Sequence, residues 1–136
     1  MGFEGKLPAS VRDSELLHKE LTGEIVGAFY EVYNELGAGY LESVYKRALA
    51  IALSARGISN AREVPLDVYF RGVCVGEFRA DLIVQSLVIV ESKAVARLAS
   101  THDAQLLNYL KASGLSVGLL FNFGPRPTFK RLVRTR

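Results

Sequence analysis

Phe78-Arg79-Ala80-Asp81-Leu82-Ile83-Val84 and Leu87-Val88-Ile89-Val90-Glu91-Ser92-Lys93, separated only by Gln85-Ser86, decide the fold. Both runs read as strands of one sheet, and ionisable residues are scarce in strands this apolar. Asp81, Glu91 and Lys93 therefore stand out. Alternation sends Glu91 and Lys93 to the same face, about 7 Å apart along the chain. The position of Asp81 depends on the loop. If Gln85-Ser86 alone formed it, Asp81 would oppose Val90, and the two acids would point to opposite faces. A longer loop, Gln85-Ser86-Leu87, or a bulge sets Asp81 across from Glu91, and a shared site requires that register.

Working outward, Val64, Leu66, Val68 and Phe70 alternate with Pro65, Asp67 and Tyr69, and Arg71-Gly72 reads as a turn into Val73–Val84. These three strands form an antiparallel meander. Upstream, Leu17, Leu21, Ile25, Ala28, Val32 and Leu36 mark one face of a helix from about Asp13 to Leu36. Asp13 or Ser14 can cap it, and Gly37 can end it. A second helix runs from about Leu41 to Arg56 and is closed by Gly57. Downstream, Thr101–Ala112 is helical, with Thr101 as a cap and Gly114 as a stop. Leu115–Phe121 is a strand apolar enough to be buried on both faces, and Thr128–Val133 an edge strand. The class is α/β (α+β), in the order α-α-β-β-β-α-β-(β). One domain is expected over residues 1–136, with 1–12 as an N-terminal extension and 125–136 as a basic C-terminal segment.

Composition agrees with this class. The 136 residues suit one core, and 49% apolar with 23% charged residues excludes a disordered chain. No apolar run approaches the roughly 18–20 residues of a membrane span, and the first residues lack a secretory pattern. The single cysteine, Cys74, excludes an internal disulfide and suits a reducing, cytoplasmic setting; its simplest role is a small buried hydrophobe. The net charge of +3 hides an asymmetry. Residues 1–36 carry seven acids against three bases, whereas 125–136 carry Arg126, Lys130, Arg131, Arg134 and Arg136 with no acid. A polyanion would be repelled by the first segment and drawn to the last.

Two carboxylates brought together in a partly buried place repel unless a cation joins them, and hard oxygen donors suit Mg²⁺ or Mn²⁺. A lysine beside such an ion can orient water or stabilise charge on a phosphate. The plainer alternative makes Glu91 and Lys93 the polar end of a strand, with Asp81 paired to Arg79 or Lys93. Glu42 is equally an ordinary first-turn acid, and Tyr45, one turn on, a core aromatic. Gln105 and Tyr109 share a helix face and could contact phosphate or a base. His18 and His102 read as structural or surface histidines.

The surroundings carry a resemblance. Gly39-Tyr40-Leu41-Glu42-Ser43-Val44-Tyr45 has the form Gly-x-x-Glu-x-x-Tyr. It is followed by Phe78-Arg79-Ala80-Asp81, Glu91-Ser92-Lys93-Ala94-Val95, His102 to Lys111, and Gly118-Leu119-Leu120-Phe121-Asn122-Phe123-Gly124. In this order the set resembles the GxxExxY proteins, a compact branch of the PD-(D/E)XK nuclease-like superfamily, over roughly residues 14–124. The resemblance implies a restriction-endonuclease-like core with a central mixed sheet. It implies Asp81, Glu91 and Lys93 as the catalytic set and Glu42 as a further acid at the same metal. Gln105 and Tyr109 match the Gln-x-x-x-Tyr motif of RecB-like nucleases, beside the active site. Ala80 stands where a proline is usual, and Ser92 where an apolar residue is usual.

The expected function is a Mg²⁺- or Mn²⁺-dependent nuclease acting on DNA, less so RNA. Glu42, Asp81 and Glu91 would hold the metal, and Lys93 would serve the water or the phosphate. Gln105, Tyr109 and Lys111 would contact nucleic acid, and the basic C-terminus would add backbone affinity. The rival is a non-catalytic module that keeps the fold to bind nucleic acid or protein. Other phosphoryl chemistry ranks last, because no Gly-rich phosphate loop is present. A homo-oligomer is compatible with the sequence, and no membrane partner is expected.

Overall fold

The computed structural model describes residues 18–135. Three helices, α1 (Lys19–Leu36), α2 (Glu42–Ala55) and α3 (Ser100–Ser113), flank five strands. The strands are β1 (Asn60–Phe70), β2 (Val73–Val84), β3 (Val88–Lys93), β4 (Val117–Phe123) and β5 (Pro127–Val133). The sheet order is β1-β2-β3-β4-β5, antiparallel throughout except for the parallel β3–β4 pair. That parallel pair needs a crossover, which α3 supplies.

Alternation along β3 and β4 sorts the core into two layers. Val88, Val90, Val117, Leu119, Phe121 and Phe123 pack with α1 and α2. Ile89 and Leu120, one residue out of phase, pack with Leu106, Tyr109 and Leu110 of α3. Every residue of β4 is buried, as its composition predicts. An aromatic column joins the first layer: Phe29 of α1 stacks on Phe121 at 4.3 Å, and Tyr45 of α2 stacks on Phe123 at 4.4 Å. Burying each such ring contributes about 1.5–3 kcal/mol. Gly118 admits α3 to the other layer, since a Cβ there would meet the Leu106 side chain at 2.9–3.0 Å.

Several boundaries differ from the expected ones. Within the described residues the first helix runs from Lys19, directly after His18 in a left-handed conformation (φ 55°), and the expected stretch from Asp13 to Leu17 lies outside them. The proposed caps Asp13 and Ser14, and the N-terminal extension 1–12, lie outside the described residues. Thr101 does not cap α3. The N-cap is Ala99, whose N–H donates to His102 Nδ1 at 2.9 Å while the His102 N–H donates to its carbonyl. Strand β1 starts four residues before Val64, and β4 is shifted two residues towards its C-terminus. The basic C-terminal segment completes the sheet as β5, where Lys130 pairs with Asp103 at 3.1 Å and Arg134 Nε donates to the Leu115 carbonyl. Among the described residues no helix is long and apolar enough to cross a membrane.

Candidate active site

The loop between β2 and β3 settles the register. Val84 pairs with Val88, Ile83 with Ile89 and Leu82 with Val90, so the loop is the three residues Gln85-Ser86-Leu87. Gln85 and Ser86 both take positive φ (51° and 58°), which turns the chain over and returns Leu87 N–H to the Val84 carbonyl. The ladder lasts only those three pairs. Towards the other end β2 follows β1 and β3 follows β4, so the two strands fork.

Asp81 and Glu91 are the first residues past the last pair, directly across from each other. At the fork the backbone donors have no partner strand, and a buried N–H left unpaired is costly. The two acids take them: Asp81 N–H donates to Glu91 Oε2 at 2.7 Å, and Ser92 N–H donates to Asp81 Oδ2 at 2.9 Å. The carboxylates thus cross-link the strands, each keeping a second oxygen for other work.

Burial has a price at Glu91, which is 3% exposed. Desolvation first, then the neighbouring Asp81 charge, push its pKa up to about 8, although the Asp81 N–H, Lys93 and Lys46 pull the other way. A group held so far from its ordinary value by an apolar setting and a like charge is one whose ionisation a nearby cation would restore.

A cation is already close. Lys46 Nζ of α2 lies 3.0 Å from Asp81 Oδ1, 3.5 Å from Glu63 Oε2 and 4.0 Å from Glu42 Oε2. Burial lowers the Lys46 pKa, but the hydrogen bond to Asp81 and the charges of Asp81, Glu63 and Glu42 outweigh it, and the net shift is upward. Asp81 therefore pairs with neither Arg79 nor Lys93. Glu63 reaches the cluster from β1, where it stands beside Asp81 with φ 51° between the Arg62–Leu82 and Val64–Ala80 pairs. Glu42 is the first residue of α2 and joins the group through Lys46.

On β3, Lys93 reaches towards α3, where its Nζ donates to Gln105 Oε1 at 3.0 Å. Tyr109, one turn further, is buried against Phe78 at 5.7 Å between ring centres. Its pKa is raised by burial and then by the Glu91 and Asp81 charges, with its hydrogen bond to Gln105 opposing. Gln105 and Tyr109 thus border the acids and Lys93. Lys111 is exposed and lines a separate groove with Asp67, Val68, Tyr69, Asn108 and Ala112. Tyr45 is fully buried; its hydroxyl donates to the Gly37 carbonyl and accepts from Tyr40 N–H, fastening the loop that leads to Glu42.

Two members of the cluster were not foreseen. Lys46 carried a signal, since it lies four residues after Glu42 and so shares its helix face. Glu63 carried none, because its reach depends on a left-handed residue at the start of an alternating strand.

The donor set suits a hard divalent ion. Carboxylate oxygens are the ligands Mg²⁺ and Mn²⁺ take, and these acids already gather an ammonium. Among the described residues no three acidic, histidine or cysteine side chains form a ready cage by themselves; the acids are spread around Lys46 instead.

Comparison with known proteins is consistent with this geometry. Residues 19–134 match the family model described as the PD-(D/E)XK nuclease superfamily. No curated protein sequence matches the chain significantly. Among solved structures, that titled "Crystal structure of SSO0001" superposes with a TM-score of 0.56 at 19% identity, covering 93% of this chain. The chain spans 62% of that protein's length, and the likeness is one of fold.

Proposed function

Since this chain belongs to the PD-(D/E)XK nuclease superfamily, we propose that it is a divalent-metal-dependent nuclease hydrolysing phosphodiester bonds of DNA, of the GxxExxY type. The observation that carries the reading is the fork. Asp81 and Glu91 face each other across it, and Lys93 follows on the same strand, held by Gln105. Nucleases of this superfamily generally use divalent metals. Here Glu42, Asp81 and Glu91 would hold the ion, Mg²⁺ or Mn²⁺, with Glu63 as a further carboxylate. When bound, such an ion supplies a polarised water and neutralises phosphate charge.

The chain's own groups do the rest. Lys93 presents a fixed cation to the attacking water or to the non-bridging phosphate oxygen, and Gln105 sets its direction. Tyr109 closes the apolar side of the site and keeps water away from Glu91. The exposed face of α3 beside Gln105 meets the nucleic-acid backbone. Arg126, exposed after β4, adds sequence-independent attraction.

Calorimetric titration with Mn²⁺, paired with cleavage of plasmid and single-stranded DNA, tests the proposal. Lys93→Ala should keep ion binding and lose cleavage by ~10²-fold or more, as when one electrostatic stabiliser is removed. Asp81→Asn should lose both, because an amide is a poorer ligand for a hard cation. An unmodified protein that takes up no divalent ion at millimolar concentration and cuts no nucleic acid is instead a binding module.

A further inference from the structure

We propose that Lys46 is a tethered counter-ion that occupies the acidic cluster in the metal-free protein and must be displaced by the incoming divalent ion. It would thereby set the ion affinity of the site. This rests on the metal-dependent reading above and adds the step by which the site is loaded.

The geometry supports displacement in particular. An ammonium has three donors and no acceptor, and the Lys46 Nζ finds carboxylates of three elements around it: Glu42 of α2, Glu63 of β1 and Asp81 of β2. Its placement is therefore that of a small cation shared by acids, not that of a surface pair along one helix. Without a positive charge there, the acids would repel one another across a partly buried space. A divalent ion drawn to Asp81 and Glu42 would enter the position the ammonium holds, and the two like charges cannot share it.

Lys46 has the means to leave. Its side chain is 22% exposed, and its four-carbon stem can swing the charge into water without moving α2. Loading then becomes an exchange of one charge for two, so the gain on binding is smaller than the acids alone would give. The same exchange favours a doubly charged ion over a monovalent one, which gains nothing over the ammonium already present.

The test compares the full chain with Lys46→Met, which keeps the apolar stem and removes the charge, and Lys46→Arg, which keeps a charge. In Mn²⁺ titration calorimetry Lys46→Met should bind roughly tenfold tighter than the unmodified protein, the scale expected for partly screened ion pairs, while Lys46→Arg stays near the unmodified value. Without metal, Lys46→Met should melt at lower temperature, and Mn²⁺ should raise its midpoint more than that of the unmodified protein. A third readout needs no variant. Acetylation of Lys46 by acetic anhydride, followed by peptide mass spectrometry, should accelerate as Mn²⁺ is added and saturate with the calorimetric curve.

If the unmodified protein binds Mn²⁺ yet Lys46→Met binds no tighter and Lys46 acetylation stays constant, the displacement is refuted while the metal site stands. If neither protein takes up Mn²⁺, both ideas fall. Uptake by Lys46→Met alone supports the displacement and means that the ammonium locks the site. Should Lys46→Met fail to fold, the acetylation rate on the unmodified protein decides.

Discussion

Glu91→Gln gives the sharpest check on the electrostatics of the fork. In the metal-free protein Glu91 has a pKa of about 8, against 4.5 for an unhindered glutamate, so at neutral pH the folded state holds a proton that the unfolded chain has released. The sign follows. Below pH ~4.5 both states are protonated and the stability is at its full value; as pH rises towards 8 the folded protein is progressively penalised. A tenfold change in proton affinity corresponds to about 1.4 kcal/mol, so the whole interval would amount to on the order of 5 kcal/mol. Water entry and relaxation at the open end of the fork should reduce this to roughly 2–3 kcal/mol. The amide that Glu91→Gln introduces resembles the protonated acid, its oxygen can still accept from Asp81 N–H, and it does not titrate. Urea unfolding in a chelator from about pH 5 to about pH 9 should therefore show the unmodified protein losing those 2–3 kcal/mol while Glu91→Gln loses far less. Parallel curves for the two proteins would refute the argument, because Glu91 would then be an ordinary ionised carboxylate.

Two further outcomes follow from contacts elsewhere. Tyr45→Phe removes the hydroxyl that serves both Gly37 and Tyr40, at a cost of about 1–2 kcal/mol in urea unfolding since water can partly replace it on that exposed loop; an unchanged midpoint would show that the loop does not need this tie. Truncation after Gly124 should prevent a folded state altogether, read as loss of a cooperative melt, because it strips β5 from the fully buried β4; a truncated protein that melts normally would return the C-terminus to the role of a detachable basic tail.

Much of the scaffold was legible because its signals are local. Alternation over Val64–Phe70, the Arg71-Gly72 turn and the apolar run of β4 each depend on neighbours in sequence, and each element formed. One boundary moved where local backbone geometry overrode the pattern: Ala99 with His102 replaced Thr101 as a cap. Asp81, Glu91 and Lys93 could be picked out because charge is expensive in an apolar strand. Their true partners could not. Whether Asp81 meets Arg79, Lys93 or Lys46 depends on how α2 lies over the sheet, and Lys93 finds Gln105 only because α3 crosses back to make β3 and β4 parallel. Such contacts are set by packing between distant segments, on which strand and helix periods are silent.

The three-residue loop at Gln85-Ser86-Leu87 makes the chemistry sensitive to chain length more than to residue identity. It lies about 13 Å along β2 from Asp81 by strand rise, and no loop side chain is needed at the fork. Replacing those residues one for one alters a surface. If the turn keeps its three-residue form, deleting or adding a single residue slips the register by one, so that one acid leaves the other's side of the sheet while every side chain of the cluster remains in the sequence; a turn that absorbs the change leaves Val84 opposite Val88 and the two acids together. For this protein a length change of one residue in a remote turn is thus a severe lesion wherever it slips the register, and one that a comparison of residue types alone would score as harmless.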